Sequence, residues 1–148
     1  MDKDTTVSTL NHLIAIAKDG YNGMSSAAES AKSASLKITL QQLSQERNRV
    51  ATTLQAEVRR LSGDPDQGGT VLGTAHRAYL NLKQAVAGNS DKALVDECEH
   101  GEDIAMSEFK EAIVKDLPQD VVQTLHSCFA QVQKSHEQIR RLKHTGAY

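Results

Sequence analysis

Apolar residues recur at every third or fourth position through most of the chain, which is the spacing of one face of an amphipathic α-helix. Four long segments carry this pattern, at about residues 5–31, 35–61, 90–115 and 118–143. A shorter stretch of the same pattern, at about residues 71–86, predicts an additional short helix. The pattern therefore predicts an all-α protein.

The connections between the predicted helices indicate how the helices are arranged. A short turn joins the first two long helices and another joins the last two, so each pair is expected to form an antiparallel hairpin. A helix of about 26 residues spans about 39 Å, and the long segment between the hairpins can return over that length. We therefore predict one domain over residues 1–148. It is an antiparallel four-helix bundle of ferritin-like build, with the short helix in the crossover between the second and third long helices.

The composition agrees with helix-on-helix packing. The chain has two prolines, no tryptophan and 3% aromatic residues, so Leu, Ile, Val and Ala must fill the core. A formal net charge of -2 gives no electrostatic reason to expect binding to nucleic acid or to an acidic membrane surface. No apolar run approaches the roughly 20 residues needed to span a bilayer.

Cysteine usage and the first residues favour a cytoplasmic protein. Two cysteines are too few for a disulfide framework, so Cys98 and Cys128 are interpreted as reduced core residues. The first four residues are polar and acidic, unlike a secretory signal peptide.

Ionisable residues interrupt the apolar stripes of three helices. Glu99 and Glu102 lie on the predicted core-facing stripe of the third long helix, and His136 lies on that of the fourth. Glu46 lies on the buried side of the second helix. Charged groups are rarely buried without a partner, and three helices that direct polar groups to one interior can form a metal site.

Two interpretations of these residues remain open. In the first, Glu46, Glu99, Glu102 and His136 hold one iron, manganese or zinc ion, surrounded by Tyr21, Gln133 and Arg49. In the second, Glu99 and Glu102 form ion pairs with Arg47 or Arg49, which neutralise the carboxylates and remove the need for a cation. Di-iron bundles use Glu-x-x-His on two helices, but Gln133 precedes His136 here and Arg49 follows Glu46.

Several short segments carry a resemblance to known families. They are Leu-Asn-His-Leu-Ile at 10–14, Ala-Ala-Glu at 27–29, Leu-Ser-Gly-Asp-Pro at 61–65, His-Arg at 76–77, Glu-Cys-Glu-His-Gly-Glu-Asp at 97–103 and Asp-Leu-Pro at 116–118. Over nearly its whole length the chain resembles a bacterial family of uncharacterised ferritin-like four-helix-bundle proteins, a domain of unknown function. The pattern Glu99-x-x-Glu102-x-x-x-Met106 is similar to the third helix of rubrerythrin-type di-iron proteins. The first resemblance implies the fold, and the second implies metal chemistry whose ligand set is incomplete here.

We therefore expect a non-catalytic bundle with a degraded di-iron-type site, acting as a structural, stress-related or partner-binding module. The alternative is a metal-binding protein that holds one ion between the second, third and fourth long helices. Leu13 and Ile16 lie off the main apolar stripe of the first helix. This apolar surplus predicts a homodimer through outer helix faces of the first hairpin.

Overall fold

The computed structural model describes residues 2–66, 90–146 and 148, and these form four α-helices. The helices are α1 (Lys3–Ser30), α2 (Ala34–Arg60), α3 (Asp91–Ile113) and α4 (Gln119–Thr145). The four long predicted helices are confirmed, with every end within two residues of the expected position. The short helix predicted at 71–86 lies outside the described residues.

Side chains with oxygen acceptors start three of the helices. Asp2 accepts the backbone N–H of Thr5 at the start of α1, at 2.8 Å. Ser33 and Ser90 do the same for α2 and α3. Such caps satisfy backbone donors that have no partner within the helix. At the other end of the chain, Gly146 ends α4 in the left-handed conformation, with φ 64°.

Neighbouring helices run antiparallel. Besides the two hairpins, α1 packs against α3 and α2 packs against α4. His12 near the start of α1 bonds to Glu108 near the end of α3, and Thr124 near the start of α4 donates to Glu57 near the end of α2. It follows that α2 and α3 are parallel and diagonally opposed. The end of α2 and the start of α3 therefore lie at opposite ends of the bundle, the arrangement expected of a ferritin-like fold.

Polar side chains bind backbone groups of turns at both ends of the bundle, between the hairpins at one end and within the first hairpin at the other. At one end the Asp91 carboxylate accepts the backbone N–H groups of Lys32 and Ser33, at 2.8 and 2.9 Å. At the other end the Asn11 amide donates to the Asp64 carbonyl at 3.0 Å. These backbone groups lie in turns and have no partner within a helix, so the side chains supply their hydrogen bonds.

The core consists of two apolar clusters, one in each half of the bundle. The first includes Leu10, Leu54, Phe109 and Leu125, and the second includes Met24, Leu36, Leu94 and Ile139. Both contain side chains from all four helices. None of α1 to α4 combines the length and the apolarity that crossing a membrane requires.

Two glycines give a matched test of the packing. A Cβ at Gly63 would lie 2.8 and 2.9 Å from the two methyl carbons of Val7, a short, stiff side chain that cannot move aside. A Cβ on Gly101, inside α3, would meet nothing within 4 Å. We expect Gly63→Ala to lower the free energy of unfolding by about 1–3 kcal/mol through overpacking. Gly101→Ala should raise it by about 1 kcal/mol through helix propensity.

Urea unfolding followed by circular dichroism measures both changes. Equal effects of the two substitutions would show that the turn after α2 does not pack on α1 as described.

Candidate functional site

A layer of polar side chains separates the two apolar clusters at the middle of the bundle. We call Arg47 of α2, Glu102 of α3 and Ser135 of α4 the polar layer. Their side chains are almost fully buried, with 3%, 3% and 2% of their surface exposed. Nη2 of Arg47 lies 2.7 Å from both carboxylate oxygens of Glu102 and 2.9 Å from Oγ of Ser135. The Ser135 hydroxyl also lies 2.7 Å from Oε2 of Glu102.

The remaining helix, α1, makes room for the arginine with a glycine. A Cβ at Gly20 would lie 3.0 Å from Nη1 and 3.2 Å from Cγ of Arg47. The absence of a side chain at Gly20 therefore lets the arginine cross the interior. Three helices therefore contribute side chains to the polar layer, and α1 contributes the space beside Gly20.

The contacts of Glu102 satisfy its charge within the protein. Taking a carboxylate and a guanidinium out of water is costly, and their attraction offsets this cost only when the geometry is good and other hydrogen bonds complete the shell. Here both oxygens of Glu102 accept from Arg47, and Ser135 adds a further donor. Of the two arginines that the sequence offered as partners of Glu102, Arg47 forms the ion pair.

Two of the other predicted ligands have partners of their own. Glu99 is half-buried and pairs with Nζ of Lys143 at 2.8 Å, so its partner is a lysine of α4 and neither of the predicted arginines. This hydrogen bond raises the pKa of Lys143. Nε2 of His136 lies 2.6 Å from Oδ1 of Asp103, on the surface between α3 and α4.

The fourth predicted ligand, Glu46, is half-buried and faces a cleft between α2 and α4 that also contains Arg49. Among the groups expected around a metal, Gln133 is exposed, and the ring of Tyr21 lies 5.7 Å from Nζ of Lys18. Within residues 2–66 and 90–146, no group of three or more His, Cys, Asp or Glu side chains has a geometry that could hold a metal ion. The metal set of Glu46, Glu99, Glu102 and His136 therefore stays a prediction from sequence, and the present geometry does not fit it.

On α3 and α4 the buried face differs in part from the face that the apolar pattern predicts. The expected stripes place Glu99 and His136 toward the core, but the positions one residue earlier, Cys98 and Ser135, are buried instead. Cys and Ser are small, so they allow the helices to approach closely at this level. Sequence reasoning missed Ser135, whose signal is its spacing of three and four residues from Val132 and Ile139.

Both cysteines are free and buried, as predicted. Burial, helped by the negative charges of Glu102 and Glu97, raises the pKa of the Cys98 thiol. Burial and the charge of Glu57 raise the pKa of Cys128 to about 11. Both thiols are therefore protonated at neutral pH and are poor nucleophiles.

The fold and the polar layer define a ferritin-like four-helix bundle with a buried ion pair at its centre. The profile of the family described as "Domain of unknown function (DUF2383)" matches residues 5–115, and the chain belongs to this family. No curated protein matches the sequence.

Among solved structures the chain is similar to the bacterioferritin-related protein from Bacteroides fragilis, described as a dodecameric thioferritin. The TM-score is 0.70 over 100% of this chain and 94% of that chain, with 13% sequence identity. At this identity the likeness shows a shared fold.

A thermodynamic cycle tests the polar layer. Removing one partner of a buried ion pair leaves an uncompensated charge, so Glu102→Gln should lower the free energy of unfolding by about 3–5 kcal/mol. Adding Arg47→Met to that variant should recover part of the loss, because the unpaired charge is then removed. Glu99→Gln is the matched control on the same helix and should cost less than about 1 kcal/mol, as expected for a surface pair.

Urea unfolding of the wild-type protein, Glu102→Gln, Arg47→Met and the double variant gives the coupling energy between Arg47 and Glu102. Additive effects of the two substitutions would contradict a direct interaction.

Proposed function

We propose that this chain is a cytoplasmic, non-catalytic ferritin-like bundle that acts as a structural, stress-related or partner-binding module. The observation that carries the proposal is the burial of Arg47 against Glu102 at the middle of the bundle. Metal-binding bundles place ligands from facing helices in this interior. Here a guanidinium provides the positive charge that a metal ion would otherwise bring.

Electrostatics supports this proposal. Both oxygens of Glu102 already accept hydrogen bonds, so binding a metal ion there would require Arg47 to move or to remain beside the ion. A divalent ion within about 5 Å of a guanidinium meets a repulsion of several kcal/mol, on the order of 7 at an effective dielectric constant of about 20. The polar layer is then a structural device that sets the register of the helices.

Metal analysis tests the proposal. Purified, untagged protein should contain no stoichiometric iron, manganese or zinc by mass spectrometry, and its melting temperature should not change with an excess of each ion. A ligand that binds the native state would raise that temperature by mass action.

About one equivalent of metal in the wild-type protein, lost in Glu102→Gln but kept in the control Glu137→Gln, would contradict the proposal. That result would establish the alternative, a bundle that holds one ion between α2, α3 and α4. Glu137 suits the control because it is exposed on α4.

We further propose that the chain self-associates through the outer face of α2. Leu13 and Ile16 do not supply the surface expected from the sequence, because the chain itself buries both, leaving 1% and 4% exposed. The first hairpin instead exposes Ile38 on α2, at 55% of its surface. The Bacteroides fragilis protein, which shares the fold, is described as a dodecamer and is therefore a precedent for self-association.

Sedimentation velocity at high micromolar concentration tests this surface. The wild-type protein should sediment as a dimer or larger, and Ile38→Lys should shift it toward monomer because a buried charge opposes association. Val114→Lys is the matched control, since Val114 is 84% exposed but lies at the end of α3 in the second hairpin. A monomeric wild-type protein, or an equal effect of both substitutions, would contradict the proposal.

A further inference from the structure

A cleft of about 280 Å³ lies between α2 and α4, on the outside of the bundle. Two oppositely charged side chains line it, Glu46 and Arg49. Val50 and Cys128 form its buried, apolar floor. This cleft is separate from the polar layer, whose residues do not line it.

Neither charge has a partner within the described residues. Glu46 and Arg49 form no hydrogen bond or ion pair there, with each other or with another group. One carboxylate oxygen of Glu46, Oε2, is shielded from solvent without a hydrogen-bond donor. Polar atoms that are buried in this way are usually paired in native proteins, so an unpaired one in a cleft indicates a missing partner.

The pair of charges restricts the chemistry of that partner. Arg49 repels a bare metal ion and Glu46 repels a simple anion, so the cleft favours a ligand that carries both signs. Burial raises the pKa of Cys128 to about 11, so its thiol adds no charge at neutral pH. The volume lies just below the usual range for ligand sites, about 300–1,000 Å³, which suits a small molecule better than a nucleotide.

Uncharged hydrogen-bonding groups complete the rim of the cleft. Thr53 on α2 and Ser127 and Gln131 on α4 are exposed along its edges. We propose that the cleft binds a free α-amino acid, with the ammonium group on Glu46 and the carboxylate on Arg49. The rim groups then contact the side chain of the amino acid.

Thermal-shift measurements with each of the twenty standard L-amino acids, followed by titration calorimetry, test the proposal on the full chain. At least one amino acid should raise the melting temperature and bind saturably. Its N-acetyl and carboxamide derivatives each lack one of the two charges, and both should bind about tenfold more weakly or worse, as expected from loss of a charged hydrogen bond.

Variants assign the binding to the cleft. Glu46→Gln and Arg49→Gln should each weaken binding about tenfold or more, whereas Glu137→Gln, on α4 and outside the cleft, should leave it unchanged. Circular dichroism confirms that the variants remain folded.

Three results would overturn the proposal. The first is no saturable binding of any of the twenty amino acids, and the second is undiminished binding of both the N-acetyl and the carboxamide derivative. The third is binding that neither Glu46→Gln nor Arg49→Gln weakens. None of these results bears on the ion pair of Arg47 and Glu102, so this proposal can fail while the proposed function stands.

Discussion

Arg47 crosses the interior of the bundle from α2 to reach Glu102 on α3, and the other two helices are shaped around this contact. Gly20 of α1 leaves space against the arginine, and Ser135 of α4 completes the hydrogen bonds of the carboxylate. Since α2 and α3 are diagonal partners, the ion pair joins helices from different hairpins. A buried charge that is left unpaired is costly, so the pair disfavours any rotation or sliding of one hairpin against the other.

The same contact explains why the core is divided. Apolar clusters on either side of the polar layer contain the large side chains, such as Phe109 in one and Leu36 in the other. Each cluster stabilises the bundle without specifying one alignment, because Leu and Ala side chains pack acceptably in several registers. A polar group with a defined partner specifies one alignment of the helices. In this chain the apolar clusters provide stability and the polar layer provides the alignment.

The helices and their topology could be predicted from the sequence. A period of 3.6 residues, short turns at about Ser33 and Pro118 and one long connection together restrict the arrangement strongly. The site was predictable only in part. The pattern placed Glu102 in the core and left Arg47 and Arg49 open as its partners, but it also placed Glu99 and His136 in the core. A helical stripe of apolar residues leaves an uncertainty of about one position, or about 100° of rotation, and the packing of small residues such as Cys98 decides between neighbouring positions.

The proposed function includes no metal chemistry because the ion pair of Arg47 and Glu102 occupies the centre of the bundle. Crystallography can observe this ion pair directly. Crystals grown from protein incubated with excess Fe²⁺ or Zn²⁺ should show the guanidinium of Arg47 against Glu102. They should show no anomalous scattering peak beside that carboxylate. A peak coordinated by Glu102, with the arginine displaced toward solvent, would contradict the account and would make this chain a metal-binding member of its family.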